Sequence, residues 1–478
     1  MRVRVFTIYA LLVAAIPAMA QTSYDAIKVM GEDLNGTARY VAMGGAMGAF
    51  GSDISVISKN PAGIGTFVQS DANITLSFSG SENKLMNGGK LGWVDNVSSD
   101  AAKSSTDMKV AVNNASFVMV FPAYNCGSLK SVNVGFSYHR TRDYDRMLLR
   151  NDDFKDKKGA VVFRDFSDTQ RNRVNSFDFN ISFNHYDCVY WGLTVGAYNS
   201  YYNSTGYFYD YYPSGQLGYK EPVDYTSVDR AFTMNGYGWN LKTGVIVRPM
   251  AGGLRAGLSI STPTFYRLSA AYTDYLYARG GEKLDGTIFN RDADFHLTTP
   301  WTLNASLGYC CGRSAIGMEY EYNISNSTSM SISSQQILTQ CADIHYKPYS
   351  VIRVGYETNI SKISLRCGYN YTFSRFWDDS RKYLGTRNKY TNEFIGDTNL
   401  NGDRSDFEFE NIHDAHTATA GIGYCSAPSA NGSQVYVDAA YMLNIQNSDF
   451  SMGEYDDEPF AKYRTLTHKV FVTFGVSF

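Results

Sequence analysis

Residues 397–408 read DTNLNGDRSDFE and fit the spacing D-x-[DN]-x-[DN]-G-x5-E of a calcium-binding loop. Asp397, Asn399, Asn401 and Glu408 would supply side-chain oxygens, Asp403 its backbone carbonyl, and Gly402 the sharp turn. Such a set of hard oxygen donors is what Ca2+ takes. No helices are evident around it, so an acidic polar loop that meets the pattern by chance is the alternative. A second stretch, GGAMGAFGSDISVISKNPAGIG (44–65), crowds small residues ahead of Asn60-Pro61-Ala62-Gly63. It lacks GxGxxG and GxxxxGK[ST] and follows no strand, so it is not a phosphate cradle. Small residues let backbone approach backbone, and Pro61 fixes its own φ while biasing Asn60 towards extended geometry. A flexible linker is the bland alternative, but linkers rarely interleave Val, Ile, Met and Phe in this way.

The segment YNSYYNSTGYFYDYYPSGQLGY (198–219) is unusually rich in Tyr. Tyr offers large contact area at low entropic cost, which suits capture of an amphipathic ligand. Loop packing and a membrane-interface belt account for it equally simply, and are preferred. The seven His show no ligand spacing, although His413 and His416 share a loop-strand junction. Neither a Ser-His-Asp set, a pair of acid and base carboxylates, nor a nucleotide loop is defensible, so no enzyme is expected. A net charge of −3 points away from nucleic acid. Seven Cys at irregular spacing form no CxxC and read as isolated residues, with one disulfide open to an exported chain.

The elements that must position these residues begin after a processing signal. Arg2 and Arg4, the apolar run Val5 to Ile16 and Ala18-Met19-Ala20 predict a signal peptide over 1–20, cut before Gln21. No other segment approaches the roughly 18 apolar residues of a transmembrane helix. The C-terminus KVFVTFGVSF instead places Val470, Val472, Phe474, Val476 and Phe478 at period two. In lipid only a helix or a closed barrel satisfies every backbone group, and an alternating strand of about ten residues suits a barrel. This ending resembles the aromatic C-terminal signature of bacterial outer-membrane barrels. Tyr (37) and Phe (28) are abundant enough for aromatic girdles at both interfaces.

Period-two alternation recurs through the chain and predicts fourteen strands, an all-β antiparallel transmembrane β-barrel over 73–478. Connections after even strands are short, near 122–130, 185–189, 249–252, 310–313, 359–361 and 426–433. Those after odd strands are long, among them 145–173, 203–230 and 374–414. Segregation by parity is the mark of short periplasmic turns and long external loops. Eight strands already make a just-filled interior, so fourteen leave a lumen that needs a plug. Residues 21–72 show no alternation and are the natural plug, or hatch.

The run LNGTARYVAMGGAMGAFGSDISVISKNPAGIG (34–65) resembles the N-terminal signature of the FadL/TodX family of outer-membrane transporters for long-chain fatty acids and other hydrophobic compounds. The matching residues are Ala38-Arg39, Met43-Gly44-Gly45-Ala46, Asp53 and Asn60-Pro61-Ala62-Gly63. Downstream, LRAGLSISTPTFY (254–266), VIRVGYETNISKISLRCGYNYTFS (351–374) and VYVDAAYML (435–443) look like strands of the same family. The resemblance implies a fourteen-stranded barrel with an N-terminal hatch in the lumen. It implies gating roles for Asp53, Asn60, Pro61, Ala62 and Gly63, and sideways release of ligand at a kinked third strand, where Gly135 stands. The expectation is passive transport of a hydrophobic small molecule by a monomer in the outer membrane of a Gram-negative bacterium. Its other partners would be outer-membrane lipid, lipopolysaccharide and, during biogenesis, the barrel-assembly machinery. The alternatives are a non-transport adhesin-like surface protein, uptake of another amphipathic ligand such as haem, and a barrel-embedded hydrolase without a visible triad.

Overall fold

The computed structural model describes residues 23–86, 103–105, 108–124, 127–155, 161–213, 223–249, 253–280, 282–283, 287–325, 328–333, 340–343, 347–375, 386–388, 394–395, 408–452 and 461–478. Fourteen barrel strands follow an N-terminal segment. They are β1 (Asp71–Leu85), β2 (Lys109–Pro122), β3 (Leu129–Lys155), β4 (Val161–His185), β5 (Val189–Pro213) and β6 (Val223–Val247). The next four are each interrupted once: β7 (Leu254–Ser261, Phe265–Gly280), β8 (Thr287–Thr298, Trp301–Cys311), β9 (Ser314–Ile324, Ser329–Ser333) and β10 (Gln340–Asp343, Tyr349–Ile360). The set ends with β11 (Ile363–Thr372), β12 (Glu408–Cys425), β13 (Gln434–Met452) and β14 (Ala461–Ser477). Pro263 and Pro300, which carry no N–H for a ladder, sit in the interruptions of β7 and β8.

Every pairing is antiparallel, and β14 returns to β1 from Asp71↔Ser477 to Leu85↔Tyr463, so the sheet closes on itself. Closure removes the free edges that lipid cannot satisfy. Burial alternates with the pleat. On the β1–β14 pair, Thr75 and Thr473 point inward and are fully buried, their hydroxyls 2.8 Å apart, while Ile74 and Phe474 face out. Outward Phe, Tyr, Trp, Leu, Ile and Val recur around the wall, whereas Asn, Ser, Thr and ion pairs fill the inner face.

The short connections fall after the even strands, as expected. They include His185 to Val189, Cys311 to Ser314 and Ile360 to Ile363. The long connections need correction. Much of 145–173 and 203–230 is strand, because β3 runs to Lys155 and β5 to Pro213. Above the bilayer both strand faces meet polar surroundings, so the alternation that betrays a strand fades. The Tyr-rich segment is consequently strand as far as Pro213, with Tyr198 and Tyr202 turned into the barrel.

The N-terminal segment holds two short helices, α1 (Ser23–Val29) and α2 (Ala38–Ala42), then 3-10 turns at Ile54–Ser58 and Pro61–Thr66. It lies inside the ring, with nearly every residue from Ala38 to Gly65 buried.

Candidate functional site: the lumen and its N-terminal segment

Inward polar side chains of the wall satisfy the backbone of the N-terminal segment, strand after strand. Asn113 of β2 donates to Gly36 O (2.9 Å), and Asn133 of β3 donates to Ile64 O (2.8 Å) and Phe67 O (2.9 Å). Ser182 of β4 donates to Pro61 O (2.8 Å), Ser259 of β7 to Lys59 O (2.6 Å), and Thr419 of β12 to Ala42 O (3.0 Å). Glu319 of β9 and Thr473 of β14 accept from Gly48 N (3.0 Å) and Ala38 N (2.7 Å). A segment with little regular secondary structure survives in the lumen because its barrel hydrogen-bonds it.

The small-residue run meets equally small positions on the wall. Gly308, Gly317, Gly355 and Gly368 lie directly opposite one another across β8, β9, β10 and β11. This glycine row faces the segment from Met43 to Phe50. A Cβ at Gly308 would stand 2.7 Å from the Phe50 ring, and Cβ atoms at Gly355 and Gly368 would overlap the backbone of Met43 and Gly44. Gly44 and Gly45 themselves adopt φ of 63° and 81°, the left-handed region open to glycine. Sequence reading found the run and missed its complement, because a strand glycine carries no apolar alternation.

Asp53 and Asn60 serve as helix caps. Asp53 accepts from Ser55 N (2.9 Å) through one oxygen and from Thr37 Oγ1 (2.7 Å) through the other, tying α2 to the first 3-10 turn. Burial pushes its carboxyl above the usual carboxylate range, against the pull of Arg39. Asn60 is fully buried. It accepts from Ala62 N (3.2 Å) and donates to Gly48 O (2.9 Å), joining two stretches twelve residues apart. Pro61 starts the second 3-10 turn, and Ala62 and Gly63 are buried within it. Asp53, Asn60, Pro61, Ala62 and Gly63 thus hold the shape of one buried unit.

The ladder between β2 and β3 stops at Asn114↔His139. Just beyond, β2 bulges at Asn113 and β3 at Thr141. Above this point β3 bends towards β1 and β14: Ser81 and Asn83 donate to Asp145 O (2.9 Å) and Met147 O (3.1 Å), and Tyr463 donates to Leu149 O (3.0 Å). The backbone ladder is therefore broken between residues 109–113 and 140–145, where Lys109 Nζ bridges to Asp143 (2.5 Å) and Asp145 (3.4 Å). Gly135 is not the cause. It sits in unbroken ladder between Val118 and Asn180, beside Ile64.

The N-terminal segment covers the break. Asp33 N donates to Thr141 O (2.8 Å) and Asp33 Oδ2 accepts from Asp143 N (3.1 Å), replacing pairing that β2 has abandoned. Arg142, next to the bulge, donates to the carbonyls of Ile27 (2.5 Å), Lys28 (3.3 Å) and Met30 at the end of α1. Asn35 is buried there, and neither atom of its amide finds a partner among the described residues.

Above the segment lies a cavity of about 200 Å3 reaching this break, lined by Lys28, Arg142, Arg146, Tyr202 and Arg375 among others. Its lining carries nine basic and five acidic side chains, so it is positively biased. Lys59 projects from the segment to its floor, 2.6 Å from Glu32 and 2.8 Å from Glu321, while Arg353 holds Glu319 (2.9 Å) and Glu321 (2.8 Å). Burial opposes ionisation of Glu32, but Lys59 and Lys242 outweigh it and keep its carboxyl below the usual range. Lys28 stands 4.3 Å over the Phe232 ring and 5.0 Å over the Tyr202 ring.

The remaining predicted residues lie elsewhere. Asp397, Asn399, Asn401 and Asp403 lie outside the described residues, and Glu408 opens β12. His413 pairs with Asp449 (3.0 Å), and His416 Nδ1 lies 2.7 Å from Tyr369 OH. Among the described residues no three His, Cys, Asp or Glu are grouped to hold a metal ion.

No protein-family model and no curated protein matches the chain. Solved structures do. A FadL homologue of Pseudomonas aeruginosa superposes with a TM-score of 0.58 at 13% identity, covering 94% of this chain and 99% of that one. The Pseudomonas putida toluene transporter TodX gives 0.53 at 13% identity, with 94% and 99% covered. The Ralstonia pickettii toluene transporter TbuX gives 0.53 at 13%, with 93% and 99% covered. The chain has the fold of the FadL- and TodX-type outer-membrane channels.

Proposed function

We propose that this protein carries an amphipathic small molecule with an apolar body and an acidic head, such as a long-chain fatty acid, passively across the outer membrane. The observation that carries the reading is the wall break between β2 and β3, covered by residues 33–36 of the N-terminal segment and adjoining a positively biased cavity. Ligand enters from the long-connection end, where a carboxylate is drawn by Lys28, Arg142 and Arg146 and an apolar chain lies against Tyr202. Binding of the head to Arg142 competes with the α1 carbonyls that this side chain holds. The segment from α1 to Gly36 then shifts as a hatch, and the apolar body leaves sideways between Val112 and Thr141, into lipid. Residues 38–66, clasped by the glycine row and the cap residues Asp53 and Asn60, stay in place. No bond is made or broken.

An adhesin needs neither the charged cavity nor the break, and the one histidine among the cavity's described lining residues, His139, is buried. Calcium at Asp397, Asn399, Asn401, Asp403 and Glu408 belongs to this proposal as an ordering device for the external connection. Calorimetric titration of wild type against Asp397→Ala tests it, and equal heats reject it. The transport reading is tested by uptake of labelled oleate and decane by cells with and without the protein, with liposome swelling in a neutral sugar alongside. Protein-dependent oleate uptake without sugar permeation is expected. Sugar permeation alone would make the protein a porin.

A further inference from the structure

Towards the short-connection end the inner face of β8 and β9 runs out of bulk. Gly308 and Gly317 face the Phe50 ring, and one inward step nearer the turn Cys310 and Ala315 stand directly opposite each other. These short side chains leave a second cavity, of about 190 Å3, which shares no lining residue with the one above the N-terminal segment. Met43, Met47, Phe50 and Ala315 give it an apolar side. In an outer-membrane barrel this end faces the periplasm.

Three arginines and one carboxylate complete the lining. The carboxylate, Glu357, is already held: it accepts from Arg39 Nε (2.9 Å) and Nη2 (3.0 Å) and from Arg366 Nε (2.6 Å). Arg39 is engaged as well, since its Nη1 donates to Ser52 O (2.9 Å). Arg255 and Arg313 differ. Arg255 donates from Nη1 to Phe50 O (3.0 Å), with its Cζ 5.9 Å from the centroid of the Phe50 ring. Its other side-chain nitrogens and the guanidinium of exposed Arg313 have no partner among the described residues. Two cations with donors to spare, set beside an apolar surface, suit a ligand that is negative at one end and apolar at the other. A guanidinium fork takes both oxygens of a carboxylate. An apolar cavity of about 150 Å3 holds benzene, so this one admits a body of one ring or a chain of roughly six to eight carbons.

We propose that this cavity is a second binding site, facing the periplasm, for a compact amphipathic carboxylate such as a medium-chain or aryl acid. Arg255 and Arg313 hold the carboxylate, and the apolar body lies against Met47 and Phe50. The site shares no residue with the upper cavity, so it stands independently of the transport reading.

Cys310 lines the cavity and reports on its occupancy. With Cys310 kept as the only cysteine, its rate of alkylation by N-ethylmaleimide is measured in nanodiscs with octanoate, octanol or acetate as separate probes. Octanoate is expected to slow the reaction roughly tenfold, while octanol and acetate leave it nearly unchanged. Arg255→Gln with Arg313→Gln should abolish the protection, Arg313→Gln alone should weaken it, and Arg142→Gln in the upper cavity should leave it intact. Native mass spectrometry of octanoate retained by the same proteins is the second readout, and heat-modifiable gel mobility confirms that each variant is folded. Neither protection nor retention in the parent, equal protection by octanol, protection unchanged in the double variant, or its loss in Arg142→Gln would each overturn the proposal.

Discussion

At the scale of single residues, Asn60 and Lys59 carry the account. Asn60→Ala removes an N-cap worth about 1 kcal/mol and leaves the buried Gly48 carbonyl without its partner, a further cost of roughly 1–3 kcal/mol. Its expected effect is a lower midpoint in guanidinium unfolding and faster proteolysis within residues 38–66, with the barrel still folded. An unchanged midpoint would mean that this amide contributes nothing. For the Lys59–Glu32 pair the sign follows from the lowered carboxyl of Glu32. Its stabilisation is present above the unfolded carboxylate value of 4.5 and is lost as pH falls through the lower folded value. Protection of the segment from hydrogen exchange should therefore hold from pH 7 to 5 and fall in acid, by less in Glu32→Gln, which has no such carboxyl to titrate. A drop of equal size in both proteins would remove Glu32 from the account. The extended geometry of Asn60 ahead of Pro61 was legible because that restriction is local, whereas Asp53 was marked only by the family resemblance and its cap role was not read. Lys59, Arg142 and Glu321 were not, since their roles depend on contacts between the N-terminal segment and strands distant in the sequence.

At the scale of elements, the glycine row clasps residues 43–50 of the N-terminal segment, and the two bulges open the gap that residues 33–36 cover. Gly368→Val drives a side chain into the backbone of Gly44, and overpacking of this kind typically costs about 1–3 kcal/mol. Loss of protease protection over 38–66 in folded barrels is the expected outcome. Protection equal to wild type would show that the fit is loose. Strand parity and the alternation of β14 were plain in the sequence because a membrane imposes one period on one face. The break beside Asn113 and Thr141 was not, since a bulge adds one residue to a polar stretch and changes no apolar count. Gly135 drew attention instead, because glycine is the visible mark of a weakened strand. The upper halves of β3 and β5 were hidden for the related reason that strands above the bilayer lose their apolar face.

At the scale of the molecule, a closed barrel holds its own N-terminal segment inside the ring, clasped by the glycine row along one arc and laid across a gap in the ladder between β2 and β3. The end across the gap contains Asn35, a buried amide without a partner among the described residues, and a helix end whose carbonyls accept from Arg142, Asn172 and Arg375. The proposed exit requires this end to open locally. The most direct measurement tethers that end. Asp33→Cys with Thr141→Cys, placed where Asp33 N meets Thr141 O at 2.8 Å, can be oxidised in a background lacking the native cysteines. Oleate uptake should fall to the level of cells without the protein when the tether is closed, and return on reduction. Uptake that continues at full rate through the closed tether would contradict exit at this gap.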